Sequence, residues 1–321
     1  MELSFTALAG TLVAPTILFF VLGLIAAFAK SDLSIPEGAA KVMSIYLLLA
    51  IGFKGGAAVA NSGIDSTLIA SLGAGIVLSF ILPFIAYALI RSMTRIDTLN
   101  ASAVAGHYGS ISILTFVTAV SLLNARSIDS EGYLVAVAAV MEVPAIMSAL
   151  WMVARTRNAP VFDAKMVDHI LGNGSIVLLV GSFVIGTITG ENGMQELPPF
   201  IVVPFTGVLA VFLLDMGLSA GKSLLVNRHE LSWGLFGFGC LMPVVGSLVG
   251  YVMAIFVGLS IGGTFLLMVL SASASYIAVP AAMRLALPEA KSGIYLSLSL
   301  GITFPFNLTV GMPFYFYIAN L

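Results

Sequence analysis

The chain has 321 residues, of which 60% are hydrophobic and only 9% are charged, and its formal net charge is −2. A soluble domain carries about 25% charged residues, so a chain this poor in charge would expose large apolar patches to water. The composition excludes a water-soluble protein, predicts a surface that faces lipid, and offers no positive field that would attract nucleic acid.

Ten predominantly apolar stretches follow one another along the chain, each long enough for a transmembrane helix of about 20 residues. The connections between them are short, so we predict one all-α integral membrane domain over 1–321 and no second, soluble domain. No basic region precedes the first apolar stretch, so we expect the N-terminus to be the start of the mature protein rather than a cleaved signal peptide. The predicted spans are 11–29, 38–60, 66–92, 98–124, 131–154, 166–189, 200–224, 231–258, 261–288 and 292–319.

Lysine and arginine residues fall almost entirely on one side of the predicted membrane. With ten spans both termini share a side, and only Lys54 and Arg126 fall on it. Cytoplasmic loops carry the excess of Lys and Arg, so both termini are predicted to lie outside. The opposite side collects Lys30, Lys41, Arg91, Arg95, Arg155, Arg157, Lys165, Lys222, Arg228, Arg284 and Lys291.

The second half of the chain resembles the first half. Residues 47–56 parallel residues 212–221, and residues 142–144 parallel residues 303–305, at nearly the same offset. A repeat of five helices is odd-numbered, so its second copy must insert upside down, which is the plan of many secondary transporters. We therefore predict two inverted repeats of five helices each, over 1–160 and 161–321.

Transporters of this plan bind substrate near the midplane of the membrane, where helices are interrupted in both halves. Glycine, proline and serine predict such interruptions in the fourth and ninth spans, and an offset of 161 pairs Ser110 with Ser271 and Ser112 with Ser273. The N-terminus of a half-helix carries partial positive charge and N–H donors, and serine hydroxyls add further donors. We predict a small-anion site there, with helix packing by small residues as the alternative.

Three charged residues fall inside predicted spans, where each costs about 2.5–3.5 kcal/mol unless it is paired or hydrated. Glu142, in the middle of the fifth span, is a candidate ligand for Na⁺ or a proton carrier, and the alternative is a hydrogen-bonded structural carboxylate. Lys54 and Asp215 are predicted either to pair across the two repeats or to lie near the interface and reach toward water.

Further polar residues complete the candidate set for cation coupling. Asn100 and Asn307 lie near the predicted breaks, and Thr303 occupies in the second half the position of Glu142 in the first. His107 falls in the break of the fourth span, and Cys240 is predicted to be a packed apolar residue. Neither a phosphate-binding loop nor a zinc-protease motif is present, so we predict no enzyme activity and no cofactor other than the coupling ion.

The same residues carry a resemblance to a known family. Blocks 108–112, 141–145 and 271–284 resemble, in order, the sodium-dependent bicarbonate transporter family of cyanobacteria and other bacteria. The resemblance implies a homotrimeric inner-membrane symporter with core and gate subdomains, often regulated by a small PII-like cytosolic protein. By position it implies roles in binding or coupling for Ser110, Ser112, Thr115, Glu142, Ser273 and Ser275.

The sequence therefore predicts sodium-coupled uptake of bicarbonate or a similar small anion across a bacterial inner membrane. Two alternatives stay open. One is sodium- or proton-coupled uptake of an organic anion. The other is an anion sensor that keeps the fold but does not transport. Tyr276 and Leu114 would suit a sensor, because the family pattern has an acidic residue at the first of these positions and a hydroxyl residue at the second.

Overall fold

The computed structural model describes residues 15–63, 65–157, 174–276, 279–280, 283, 287 and 289–321, and every regular element among them is helical. In chain order the helices are α1 (Pro15–Phe28), α2 (Glu37–Ser62), α3 (Ser66–Met93), α4 (Thr98–His107), α5 (Ile113–Ala125), α6 (Leu134–Val140), α7 (Glu142–Arg157), α8 (Gly174–Glu196), α9 (Pro198–Ile201), α10 (Phe205–Asn227), α11 (Trp233–Val257), α12 (Ile261–Ala272) and α13 (Ser292–Ala319).

Among the described residues, seven helical stretches are long and apolar enough to cross a membrane, namely α2, α3, α6 with α7, α8, α9 with α10, α11 and α13. Three shorter apolar helices, α1, α5 and α12, accompany them. Helix α5 is the second half of the predicted fourth span and α12 is the first half of the ninth, so both are short because these spans are interrupted. The start of the predicted sixth span, residues 166–173, lies outside the described residues. The integral, all-helical membrane architecture agrees with the prediction.

One group of helices consists of α1, α2, α8 and α10. Helix α2 packs along α8, and α1 packs along α10. Both contacts need glycine, because a Cβ on Gly56 would lie 1.9 Å from the Phe183 carbonyl oxygen and one on Gly217 would lie 2.1 Å from that of Phe20. These glycines fall in the two stretches that resemble each other, so the resemblance has a packing cause: small residues let helix backbones approach closely.

The second group surrounds the interrupted helices. Helix α3 packs against α4, α7 and α11, and α11 packs along α12. Helix α13 contacts α10 and α11, and it contains two π-helical segments, Ser297–Thr303 and Asn307–Gly311. Because π-helical segments are rare and frequently occur at functional sites, they make α13 a candidate to contact the interruptions.

Helix α4 begins in a cleft of about 840 Å³ at one end of this group. Asp97 caps the helix by accepting hydrogen bonds from the Asn100 backbone N–H (2.9 Å) and side-chain amide (2.6 Å). The Asn100 side-chain oxygen, Oδ1, in turn accepts from the Lys291 backbone N–H at 2.7 Å. Asn100 therefore joins the start of α4 to the start of α13, at the helix end rather than at the interruption.

Replacing Asp97 by alanine should lower the free energy of unfolding by about 1 kcal/mol at neutral pH, the usual cost of a lost N-cap. Burial raises the pKa of Asp97, but the hydrogen bonds from Asn100 lower it by more than burial raises it. The pKa of Asp97 therefore lies below its ordinary value. The ionised cap thus stabilises the fold above the unfolded-state pKa of about 3.9, and this stabilisation is lost as the pH falls through the folded-state pKa.

Denaturant unfolding of the detergent-solubilised protein at several pH values measures this effect. Asp97→Asn is the matched control, because asparagine caps a helix as well as aspartate but does not titrate. An alanine variant as stable as the parent chain at neutral pH would contradict the capping role.

Candidate functional site

The first interruption separates α4 from α5. Helix α4 ends at His107, and α5 begins after Ser112, whose hydroxyl oxygen accepts the Thr115 backbone N–H at 3.3 Å. Between them, a Cβ on Gly109 would lie 2.3 Å from the Pro83 ring of α3. Glycine is thus required where the interrupted chain crosses α3, and the break is built into the sequence by a glycine and a capping serine.

The second interruption follows α12. Residues 273–275 are not helical, the chain is helical again at Val279 and Pro280, and the Ser275 hydroxyl oxygen accepts the Val279 N–H at 3.4 Å. Ser275 therefore caps the helix after the second break as Ser112 caps the helix after the first. Their numbers differ by 163, two more than the offset of 161 expected from the sequence.

The two interruptions touch each other. The backbone N–H of Ser275 donates to the His107 carbonyl oxygen at 2.8 Å. Carbonyls in the last turn of a helix have no N–H donor within that helix. The second break supplies the donor for the His107 carbonyl at the end of α4. Five predicted hydroxyl residues around this crossing, Ser110, Ser112, Thr115, Ser273 and Ser275, are each at most 3% exposed.

Glu142 lies at the same level, as the first residue of α7. Met141 separates α6 from α7 just before it, and the Met141 carbonyl accepts the Ser79 hydroxyl. Glu142 is 3% exposed, and the Ser110 hydroxyl donates to its Oε2 at 2.5 Å. Within the described part of the chain Glu142 has no cationic partner. The Ser110 hydroxyl connects its buried carboxylate to the first break.

Helix α13 contacts both breaks through its π-helical region. Thr303 donates to the Gly239 carbonyl at 2.7 Å, so its oxygen is left to accept the Tyr108 hydroxyl, also at 2.7 Å. Asn307 donates to the Ala272 carbonyl at 2.9 Å and accepts the Tyr315 hydroxyl at 2.7 Å. Thr303 thus holds the first break, and Asn307 holds the end of α12 at the second.

Two predicted serines bond back to their own helix. Ser271 donates to the Leu267 carbonyl at 2.9 Å, and its hydroxyl lies against α11, 2.6 Å from the position of a Cβ on Gly250. Ser273 donates to the Leu270 carbonyl at 2.7 Å. The hydroxyls of these two serines are therefore engaged within α12, unlike those of Ser110 and Ser112.

The other predicted charges lie apart from the crossing. The Lys54 ammonium sits 4.3 Å from the centre of the Phe205 ring, a cation–π contact at the start of α10. Asp215 is buried within α10, and no ion pair joins it to Lys54 in the residues that the structure covers. The predicted pairing across the two halves of the chain is therefore not seen, and the structure does not bring either residue to the interruptions.

Three buried polar atoms near the breaks have no well-formed hydrogen bond to any residue that the structure describes: Ser102 Oγ, His107 Nε2 and Tyr276 Oη. His107 Nδ1 lies 2.6 Å from the Ala103 carbonyl, and the ring stacks on Tyr295 with the centroids 4.5 Å apart. Because a carbonyl only accepts, Nδ1 carries the proton and Nε2 is left as a buried acceptor. Buried groups without partners are uncommon in folded proteins, so these atoms mark places where a ligand or water is needed.

Sequence reasoning missed several members of this site. Ser79, Tyr108 and Tyr315 hydrogen-bond to the interruptions or to the residues that hold them. Tyr108 stands inside the glycine-rich break, a position that could have indicated its role. Ser79 and Tyr315 lie in ordinary apolar helices, and nothing in their local sequence distinguishes them from packing residues.

These helices define a multi-pass integral membrane protein with buried polar groups at its interrupted helices. The chain matches the family model of the Na⁺-dependent bicarbonate transporter superfamily over residues 15–320. This match covers nearly the whole chain, and the protein therefore belongs to that superfamily, as the sequence resemblance indicated. A search of curated proteins finds no significant match. Membership of a transporter superfamily points to transport rather than to catalysis.

Proposed function

We propose that this chain is a secondary active transporter that couples Na⁺ entry to the uptake of bicarbonate or a similar small anion. The observation that carries the proposal is the direct contact of the two interrupted helices, Ser275 N–H to the His107 carbonyl at 2.8 Å, beside the buried carboxylate of Glu142. Interrupted helices that meet inside a membrane protein are the usual site of substrate and coupling ion in secondary transporters.

The anion would bind at the first break. The first turn of α5 has N–H groups without helical acceptors, and the helix dipole adds partial positive charge there. Ser112 contributes a hydroxyl that can donate a hydrogen bond to the anion, and Ser110 can do so once a cation at Glu142 replaces its bond to that carboxylate. A small anion is held in this way without an arginine or lysine, and it can be released more readily than from a buried ion pair.

The coupling cation would bind at Glu142. Na⁺ is a hard cation and prefers oxygen ligands, as Ca²⁺ and Mg²⁺ do, and the Glu142 carboxylate, the Ser110 hydroxyl and nearby backbone carbonyls supply oxygen. Thr303 and Asn307 support this site from α13 through their bonds to the two breaks. Asn100 is left out of the proposed cation site, because both polar ends of its side chain are engaged at the start of α4.

Coupling to Na⁺ follows from the energetics of uptake. Moving one negative charge inward against 100 mV costs about 2.3 kcal/mol, whereas a tenfold inward Na⁺ gradient supplies about 1.4 kcal/mol. If one Na⁺ enters with each monovalent anion, the electrical terms cancel and the sodium gradient alone drives accumulation. Uncoupled uptake of the anion would run outward.

The proposed architecture is ten spans in two inverted repeats, 1–160 and 161–321. The crossed packing supports it: α1 of the first half packs along α10 of the second, and α8 of the second packs along α2 of the first. In this arrangement α1, α2, α8 and the span of α9 with α10 form the gate, and the remaining helices form the core. We further expect a homotrimer in the bacterial inner membrane with both termini outside, and a PII-like cytosolic regulator.

Uptake of radiolabelled bicarbonate into proteoliposomes, with and without an inward Na⁺ gradient, tests the function. We expect sodium-dependent accumulation by the parent chain and its loss in a Ser110→Ala/Ser112→Ala variant. The control is Ser182→Ala/Ser247→Ala, because both hydroxyls are buried but bond to carbonyls of their own helices. Competition by organic anions would favour an organic substrate, and binding without accumulation would favour the sensor.

A further inference from the structure

A chain of hydroxyl groups runs from α5 to the residue that follows the second interruption. Its first link is the Thr115 hydroxyl, which donates to Ser112 Oγ at 2.7 Å. The same oxygen accepts the Thr115 backbone N–H. A serine oxygen has two lone pairs and one proton, so Ser112 has no further capacity to accept and can only donate.

The next link leads to Tyr276. The Tyr276 hydroxyl lies beside that of Ser112, but it is buried and has no well-formed hydrogen bond. The Ser112 proton can point to the Tyr276 oxygen, and the Tyr276 proton then has no acceptor within the described protein. In a chain of hydrogen bonds each donor polarises the next, so the last O–H is the strongest donor of the three.

The Tyr276 side chain is held so that its hydroxyl stays buried away from water. Its ring packs edge-on against Phe304 of α13, with the centroids 5.4 Å apart. The preceding residue, Ser275, is tied to the first break by its backbone bond to His107. A buried hydroxyl that is held in place and lacks an acceptor is costly, so the position calls for a group that accepts hydrogen bonds. The nearby N-terminus of α5 repels cations and favours an anion.

We infer that Tyr276 is a further anion-binding residue and that its hydroxyl donates to an oxygen of the bound anion. This inference rests on the proposed function, and it adds a residue that the sequence did not assign to the site. When the Ser112 proton turns from Tyr276 to the anion, Ser112 and Tyr276 can each donate to one oxygen of an anion with two oxygens on one carbon, such as bicarbonate or another small carboxylate. A halide, with one accepting centre, uses this pair less well.

The test is calorimetric titration of the purified protein with bicarbonate in the presence of Na⁺. Tyr276→Phe removes the hydroxyl and keeps the ring against Phe304, and we expect it to weaken bicarbonate binding by about tenfold or more. Tyr46→Phe is the control, because it removes an exposed hydroxyl bond to the Phe200 carbonyl, which joins α2 to α9 and not the interrupted helices, and its affinity should stay close to that of the parent. Thr115→Val removes the head of the hydroxyl chain and should weaken binding in the same direction, by less.

Each outcome bears on the inference in a different way. If Tyr276→Phe binds bicarbonate as tightly as the parent while Ser110→Ala/Ser112→Ala loses binding, the role of Tyr276 is overturned and the proposed function stands. If the parent binds no small carboxylate at all, both are overturned. Equal weakening of bicarbonate and chloride binding in Tyr276→Phe would overturn the preference for a two-oxygen anion.

Discussion

Replacing Glu142 by glutamine should strongly weaken sodium-driven uptake and leave the fold intact. Glutamine has the same size and can still accept the hydrogen bond from Ser110, so the packing at the start of α7 is preserved. What is lost is the negative charge, which the proposal assigns to cation binding. We expect the Na⁺ concentration needed for half-maximal uptake to rise by about tenfold or more, the scale of one lost interaction with a charged group.

A second readout separates this role from a purely structural one. A charged side chain inside a membrane is costly, so the neutral variant should be at least as stable as the parent in thermal unfolding. Glu131→Gln is the matched control, because Glu131 also accepts a serine hydroxyl, that of Ser260 at 2.9 Å, but lies in the loop before α6. Unchanged sodium dependence together with lower stability in Glu142→Gln would show that the carboxylate is structural.

Replacing Gly217 by alanine should strongly destabilise the protein. The added Cβ would lie 2.1 Å from the Phe20 carbonyl oxygen and 2.8 Å from the Leu24 N–H nitrogen, both of which are backbone atoms of α1. Neither can turn aside as a side chain can, so α1 and α10 must move apart along their length. We expect a loss of about 1–3 kcal/mol, the range measured for overpacked cores, and a lower yield of folded protein.

Gly207 of the same helix provides the control. A Cβ on Gly207 meets nothing within 4 Å, and alanine favours a helix over glycine by about 1 kcal/mol. Gly207→Ala should therefore unfold at the same temperature as the parent or above it, whereas Gly217→Ala should unfold well below it. Equal stability of the two variants in detergent would mean that α1 and α10 do not pack as closely as described.

The helices and their interruptions could be predicted from the sequence for a physical reason. Lipid offers no hydrogen bonds to the backbone, so a spanning chain must be helical and any break must be sheltered by protein. Apolar length located the helices, and Gly109, Ser112 and Pro280 located the breaks. Residue ends agree closely for α3, predicted at 66–92 and observed as Ser66–Met93.

The direction in which each hydroxyl points could not be predicted. Ser271 and Ser275 differ by one helical turn in sequence, yet the first bonds within α12 and the second caps the next helix. That difference depends on where α12 ends, which is set by the Asn307 side chain of α13. Contacts between residues so far apart in the chain leave no local signal, and the same holds for Tyr108 and Thr303.

The bond between Ser275 and His107 joins two main-chain groups. Apart from proline at position 275, no replacement of a side chain deletes either the donor or the acceptor. The serines, tyrosines and carboxylate around the crossing can therefore be exchanged over evolutionary time while the two broken helices stay joined. The selectivity of such a site can therefore be changed by substitution without removing the contact that holds the two broken helices together.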